Sequence, residues 1–235
     1  MNESLSPTTN DFLDSLAKLG GAIVGLSLFA YVAGYVKALA MYGAIGASWV
    51  VEFLSAHDIL RMGSYSLIMV AVVLLGGAYI FYTQGWVRLK ILSFWLAGVT
   101  LSFFMFHPVE MGRRDWFVNY EWAGLIVAVC FVTSGCLLSY AGFLYVALGF
   151  SRRMIFSVLI GGLIALYIIP TYLGRAWAHG VLTEQIAMPK TSGDKGGCYL
   201  LGSVNSKYLI GCLSGGKVVT LKMVEVDKDI SFGGL

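Results

Sequence analysis

A chain of 235 residues with 58% hydrophobic and only 12% charged side chains does not read as a soluble globular domain, because such domains carry roughly 25% charge. The net charge of +3, with its basic residues scattered, excludes a nucleic-acid surface dense enough to track phosphates. What remains is the membrane pattern, in which charges cluster and punctuate long uncharged runs.

Those runs are bounded by Lys18 and Lys37, Arg61 and Arg88, Lys90 and Glu110, Glu121 and Arg152, and Arg153 and Arg175. The shortest, residues 19–36, holds 18 residues. At about 1.5 Å per helical residue it reaches about 27 Å, close to the roughly 30 Å of a hydrocarbon core. The fold class expected is an α-helical integral membrane protein with about five transmembrane helices, one interfacial amphipathic helix and a small C-terminal β-meander.

Residues 1–18 form a polar segment with Glu3, Asp11 and Asp14. They lack the basic leader of a signal peptide, so the first apolar run is expected to be a retained helix. Span one is expected over 19–36, where Gly21, Gly25, Ala30 and Gly34 make a small-residue ridge that admits another helix backbone or a second copy of the chain. Residues 38–61 are interrupted by Glu52, Asp58 and Arg61, with Trp49, Val50, Phe53, Leu54 and Leu60 on one stripe. They read as an interfacial segment, a re-entrant hairpin through Gly43 and Gly46 being the alternative. Spans two and three are expected at 65–86 and 92–106. The loop 107–121 mixes Glu110, Arg113, Arg114 and Asp115 with Trp116, Phe117 and Tyr120, which suits the headgroup level. Spans four and five are expected at 123–150 and 155–173, with Arg152 and Arg153 between them and Arg175 and Trp177 closing the last.

From Pro189 the character changes. After a linker at 191–197, the runs Cys198–Val204, Lys207–Leu213 and Lys217–Val226 are strand-length and bounded by turn residues. A short fourth strand is expected at Ile230–Phe232, and in the third Val219, Leu221 and Met223 are expected on one face. Such a sheet is too small to stand alone, so docking or a staple is expected. With the hairpin centred on Asn205, Cys198 falls opposite Cys212 and a disulfide is expected, worth about 3 kcal/mol for a loop of about 15 residues; a one-residue slip in register would destroy that alignment. A disulfide persists on the oxidising side of a membrane. Together with the acid-free dibasic turns at Arg88/Lys90 and Arg152/Arg153, it favours a cytoplasmic N-terminus and a periplasmic tail.

Chemistry is sparse. The five runs contain no Asp, Glu, Lys or Arg, where a pump or ion-coupled transporter places its ionisable groups. His57, His107 and His179 lie in three separate segments, and no metal, phosphate-loop, haem or Cys-x-x-Cys pattern occurs, so neither catalytic residues nor a cofactor is expected. Cys130 and Cys136 read as packing residues. His57 and Asp58, and the cluster Arg113, Arg114 and Asp115, are the candidate partner contacts, with Asp58 also a candidate N-cap ahead of Ile59 and Leu60.

Gly34-Tyr35, Tyr42-Gly43-Ala44, Gly46-Ala47-Ser48-Trp49, Leu54-Ser55 and Asp58-Ile59-Leu60, with a tail beginning Cys198-Tyr199-Leu200-Leu201-Gly202, resemble a pattern in uncharacterised bacterial inner-membrane proteins that end in a compact β tail. Immunity proteins that guard bacteria against membrane-acting toxins share this architecture by analogy. The expectation is a non-enzymatic multi-pass protein of the bacterial inner membrane that binds a protein partner, such as a toxin or membrane subunit. The alternative is a transporter, channel or channel accessory lined by hydroxyls such as Ser66, Thr133 and Ser134.

Overall fold

The computed structural model describes residues 9–82, 95, 96, 98, 121–182, 188–191, 198–204, 207–214, 217–225 and 232–233. Among them are four helices long and apolar enough to cross a membrane, and a C-terminal antiparallel sheet.

The first helix, α1, runs Thr9–Ala44, well past the expected end at residue 36. Lys37 does not stop it, because lysine is a good helix former and the residues that follow, Ala38 to Tyr42, are helix-compatible. What stops it is Gly46, with a positive φ of 76°. Its N–H donates to the Gly43 carbonyl at 3.1 Å, and the Ala47 N–H to that of Tyr42 at 2.7 Å. This is the two-bond Schellman closure, which a side chain at a left-handed position would strain.

A 3-10 turn, Ser48–Phe53, follows, and then α2 over Ala56–Tyr82. The expected interfacial helix at 38–61 is therefore a corner: the end of one long helix, a tight turn, and the start of the next. Its apolar stripe divides, with Val50 and Leu54 buried and Trp49 and Phe53 exposed, ring against ring at 5.9 Å.

Helix α3 spans Glu121–Leu148. Gly149 (φ 69°) turns the chain, and the Ser151 hydroxyl caps α4, Arg152–Leu163, by accepting from the Met154 N–H at 3.3 Å. A π turn over Ile164–Ile168 joins α4 to α5, Ile169–Leu182. It sits just before Pro170, which has no N–H to donate, and the wider turn lets the Ile169 N–H reach back to Ile164. The fused rod extends nine residues past the expected end at 173.

Glycines fix the helix directions. A β-carbon at Gly34 would overlap the Ile59 carbonyl, and one at Gly63 that of Ala30, so α1 and α2 cross backbone to backbone and antiparallel. Only half of the expected ridge is used here, since Gly21 and Gly25 have no described neighbour within 4 Å. Gly135 meets Val73 and Gly77 meets Ser139, which makes α2 and α3 parallel. Gly174 meets the α1 backbone at Lys37 and Met41, so α5 runs parallel to α1. Tyr82 and Glu121 thus lie at opposite ends of the bundle. The expected third span falls outside the described residues except for Trp95, Leu96 and Gly98, which are helical, Gly98 lying against Val132.

The sheet comprises β1 (Lys190–Thr191), β2 (Cys198–Val204), β3 (Lys207–Ser214), β4 (Lys217–Glu225) and β5 (Phe232–Gly233), in the order β4-β3-β2-β1-β5. The three expected long strands form a meander, and Lys190–Thr191, of which Thr191 was read from sequence as linker, is an added strand between β2 and β5. Val204 pairs with Lys207, a register that alone would misalign the cysteines by one residue. A bulge at Leu201 takes up that residue, so Cys198 faces Cys212 and the two are disulfide-bonded. A second bulge, between Cys212 and Leu213, leaves Val219 unpaired on β4. Val218, with Leu221 and Met223, then packs on the core, while Thr220 and Lys222 are exposed.

One apolar cluster joins the sheet to the bundle. Leu201, Val204 and Leu209 bury against Met41, Tyr42, Ile45, Val50 and Leu54 of the corner and against Ala178 and Val181 of α5. Gly211 leaves the notch that the bulged Leu201 fills, a β-carbon there lying 2.6 Å from its Cδ1. Gly211→Val should therefore destabilise the tail by about 1–3 kcal/mol, as overpacking does. Trypsin cleavage of the tail should accelerate in this variant and not in Thr220→Val, at an exposed position of β4.

Candidate functional site

The same close approaches assemble a cleft of about 360 Å³ where the bundle meets the sheet. Lys37 enters it from α1, held between two glycine contacts: Gly34 against α2 and Gly174 against α1's own Lys37–Met41 backbone. Arg61 enters from the first turns of α2 and Trp177 from α5, one turn after Gly174. The sheet supplies Leu201, Gly202 and Ser203 from the bulged part of β2. Tyr42, 2% exposed, lies beneath Gly202, whose β-carbon position is 4.0 Å from the phenol oxygen.

Asp58 also lines the cleft, but its carboxylate is engaged. Oδ2 accepts from the Ser55 hydroxyl at 2.6 Å and from the Ser55 N–H at 3.3 Å, while the Asp58 N–H donates to Ser55 Oγ at 3.1 Å. This reciprocal pair is a capping box, so the N-cap of α2 is Ser55 and Asp58 is its third helical residue, not the N-cap that the sequence suggested. Among the described residues neither Lys37 nor Arg61 is ion-paired, in contrast to Lys207 and Glu225, 3.5 Å apart across β3 and β4. The cleft is therefore a pocket with two cations whose one acid is committed to a cap.

Of the sequence candidates, the structure brings only Asp58 to this cleft. His57 is exposed on the first turn of α2, and Arg113, Arg114 and Asp115 lie outside the described residues. Lys37, Arg61 and Trp177 were read only as markers of span ends. The signal that places Lys37 inside a helix is the apolar stretch that continues to Ala44 before Gly46. Among the described residues no three His, Cys, Asp or Glu side chains gather as a metal site. A second groove, about 400 Å³, lies along α1 and α5 and has Arg175 as its charged lining residue.

Inside the bundle the hydroxyls of Ser134 and Ser139 tie helices together, while Ser66 Oγ is buried with no hydrogen-bond partner among the described residues. Ser134 Oγ donates to the Gly161 carbonyl at 2.8 Å, tying α3 to α4. Ser139 Oγ contacts the carbonyls of Leu74 on α2 at 2.7 Å and of Gly135 at 2.8 Å. No protein-family model, curated protein or solved structure matches this chain.

Removing the N-cap oxygen in Ser55→Ala should cost about 1 kcal/mol and free Asp58 to pair with the cations. The melting temperature in detergent should fall for Ser55→Ala and stay unchanged for the exposed His57→Ala.

Proposed function

We propose that the protein is a non-enzymatic integral protein of the bacterial inner membrane that binds a protein partner at the end of its helix bundle capped by the sheet. The observation that carries this reading is the sheet itself. It shares one apolar core with the helix ends, so it is a fixed platform. Its outer strand β4, nine residues long, has no further strand beside it among the described residues. An open edge of that length is a template for strand addition by another chain. The same end receives the N-terminus of α3 at Glu121, and Arg113, Arg114 and Asp115 precede it in the sequence.

The orientation proposed is N-terminus cytoplasmic and sheet periplasmic. The Cys198–Cys212 disulfide supports it, since such bonds last on the oxidising side. The Arg152/Arg153 turn lies at the opposite end and suits the cytoplasmic face. Because Tyr82 and Glu121 stand at opposite ends, an odd number of crossings is needed to join them, and this supports five spans in all. The biological form proposed is an immunity protein whose partner is a membrane-acting toxin. Of the hydroxyls that the channel reading would need, Ser134 is engaged between helices.

The test is protection of a sensitive strain from its cognate toxin, read together with reporter fusions. An alkaline phosphatase fusion after Leu235 should be active and one after Arg153 inactive. Arg114→Glu should abolish protection at normal protein level, and Arg153→Glu should not. The opposite pattern at normal level and topology would place the binding face at the other end. Deleting the tail is a poor variant for this purpose, because it would uncover Tyr42, Val50 and Leu54.

A further inference from the structure

We propose that the cleft of Lys37, Arg61, Tyr42, Trp177 and Ser203 binds the phosphate headgroup of an anionic lipid from the leaflet on the sheet side. Lys37 lies within a helix apolar enough to span the membrane, seven residues before its end at Ala44. Seven residues are about 10 Å of helix, a little more than the roughly 5–7 Å polar zone of one leaflet, so the Lys37 backbone sits just inside the hydrocarbon boundary and its long side chain can snorkel to headgroup level. A cation held there, half-buried against Met41 and Trp177, calls for a counter-charge. The acid beside it, Asp58, offsets only one of the two cations, and its Oδ2 is turned to Ser55, from which it accepts twice.

The missing partner has a defined chemistry. Arg61 offers a planar fork suited to two phosphate oxygens and Lys37 a point charge, with the hydroxyls of Tyr42 and Ser203 on the same cleft as neutral donors. A carboxylate would satisfy fewer of these donors than a phosphodiester, which has two free oxygens and two ester oxygens. Met62, Trp177 and Leu201 give the cleft an apolar wall, which fits the glycerol and first acyl carbons of a lipid better than a hydrated inorganic ion. This assignment is independent of the protein-partner reading, since the cleft lies between β2 and the helices and not at the β4 edge.

The experiment is thermal unfolding of the purified full-length protein in neutral detergent micelles doped with phosphatidylglycerol, with phosphatidylcholine, or with inorganic phosphate alone. Phosphatidylglycerol should raise the melting temperature and the other two should not. The Lys37→Gln/Arg61→Gln variant should bind phosphatidylglycerol at least tenfold more weakly, while Arg153→Gln at the far end should bind it as the unaltered protein does. Ser203→Asp, at an exposed position with both cations retained, should also weaken binding and decides the matter if the double variant does not fold. Equal stabilisation of Ser203→Asp and the unaltered protein by phosphatidylglycerol would overturn the site. An equal shift with inorganic phosphate alone would overturn the lipid assignment.

Discussion

Backbone contact between helices is the constraint on which this structure depends. Lipid tails are as apolar as leucine, so helices in a bilayer gain little from hiding apolar side chains from one another. They gain instead where small residues let helices approach closely, and four such places organise the bundle: Gly34 and Gly63, which set α1 and α2 backbone to backbone, Gly174 against the α1 backbone, Gly135 and Gly77 against the side chains of Val73 and Ser139, and Gly161 under Leu137 and Leu138. The two-point contacts, Gly34/Gly63 and Gly135/Gly77, also set direction, and together the four bring the ends of α1 and α5 and the start of α2 to one side. That convergence creates both the seat for the sheet and the cleft beside it.

The sheet depends on that seat in turn. A meander of this size cannot bury enough apolar surface alone, yet Val204 and Leu209 are almost wholly buried because the corner at 44–56 and the last turns of α5 cover them. Burial of such side chains is worth roughly 1.5–3 kcal/mol each, and the disulfide adds about 3 kcal/mol by restricting the unfolded tail. Tail and helix ends therefore belong to one cooperative unit. Its mouth is lined by Lys37 and Arg61, while β4 lies at the outer edge of the sheet.

Much of this was legible from sequence, for physical reasons that can be named. Uncharged runs report helices that cross a membrane, because charge is costly there whatever the packing. Strand lengths in the tail followed from turn residues at 205–206 and 215–216. Boundaries were less legible. Lys37 looked like an end because charges usually mark ends, yet lysine tolerates helix interiors and the true stop was the left-handed Gly46. Asp58 was read as a cap by residue type, but the cap is Ser55, three residues earlier, and only the reciprocal hydrogen bonds tell them apart. The strand at Lys190–Thr191 carries no local signal, being two residues made by pairing with β2 and β5. The cleft was invisible for the same reason, since Lys37, Arg61, Trp177 and Ser203 come from four separate elements and share no spacing.

Glycines at the α1–α2 crossing and glycines elsewhere on α1 can be compared directly. Gly34 and Gly63 lie against backbone, whereas Gly21 and Gly25 on the same α1 have no described neighbour within 4 Å. Unfolding of the purified protein in lipid bicelles, followed together with protease release of the tail, should separate them. Gly34→Val and Gly63→Val should each lower the melting temperature and expose the tail to protease, while Gly21→Val and Gly25→Val should change neither. Equal behaviour of the four variants would contradict this, because the sheet and cleft would then not depend on the α1–α2 backbone contact.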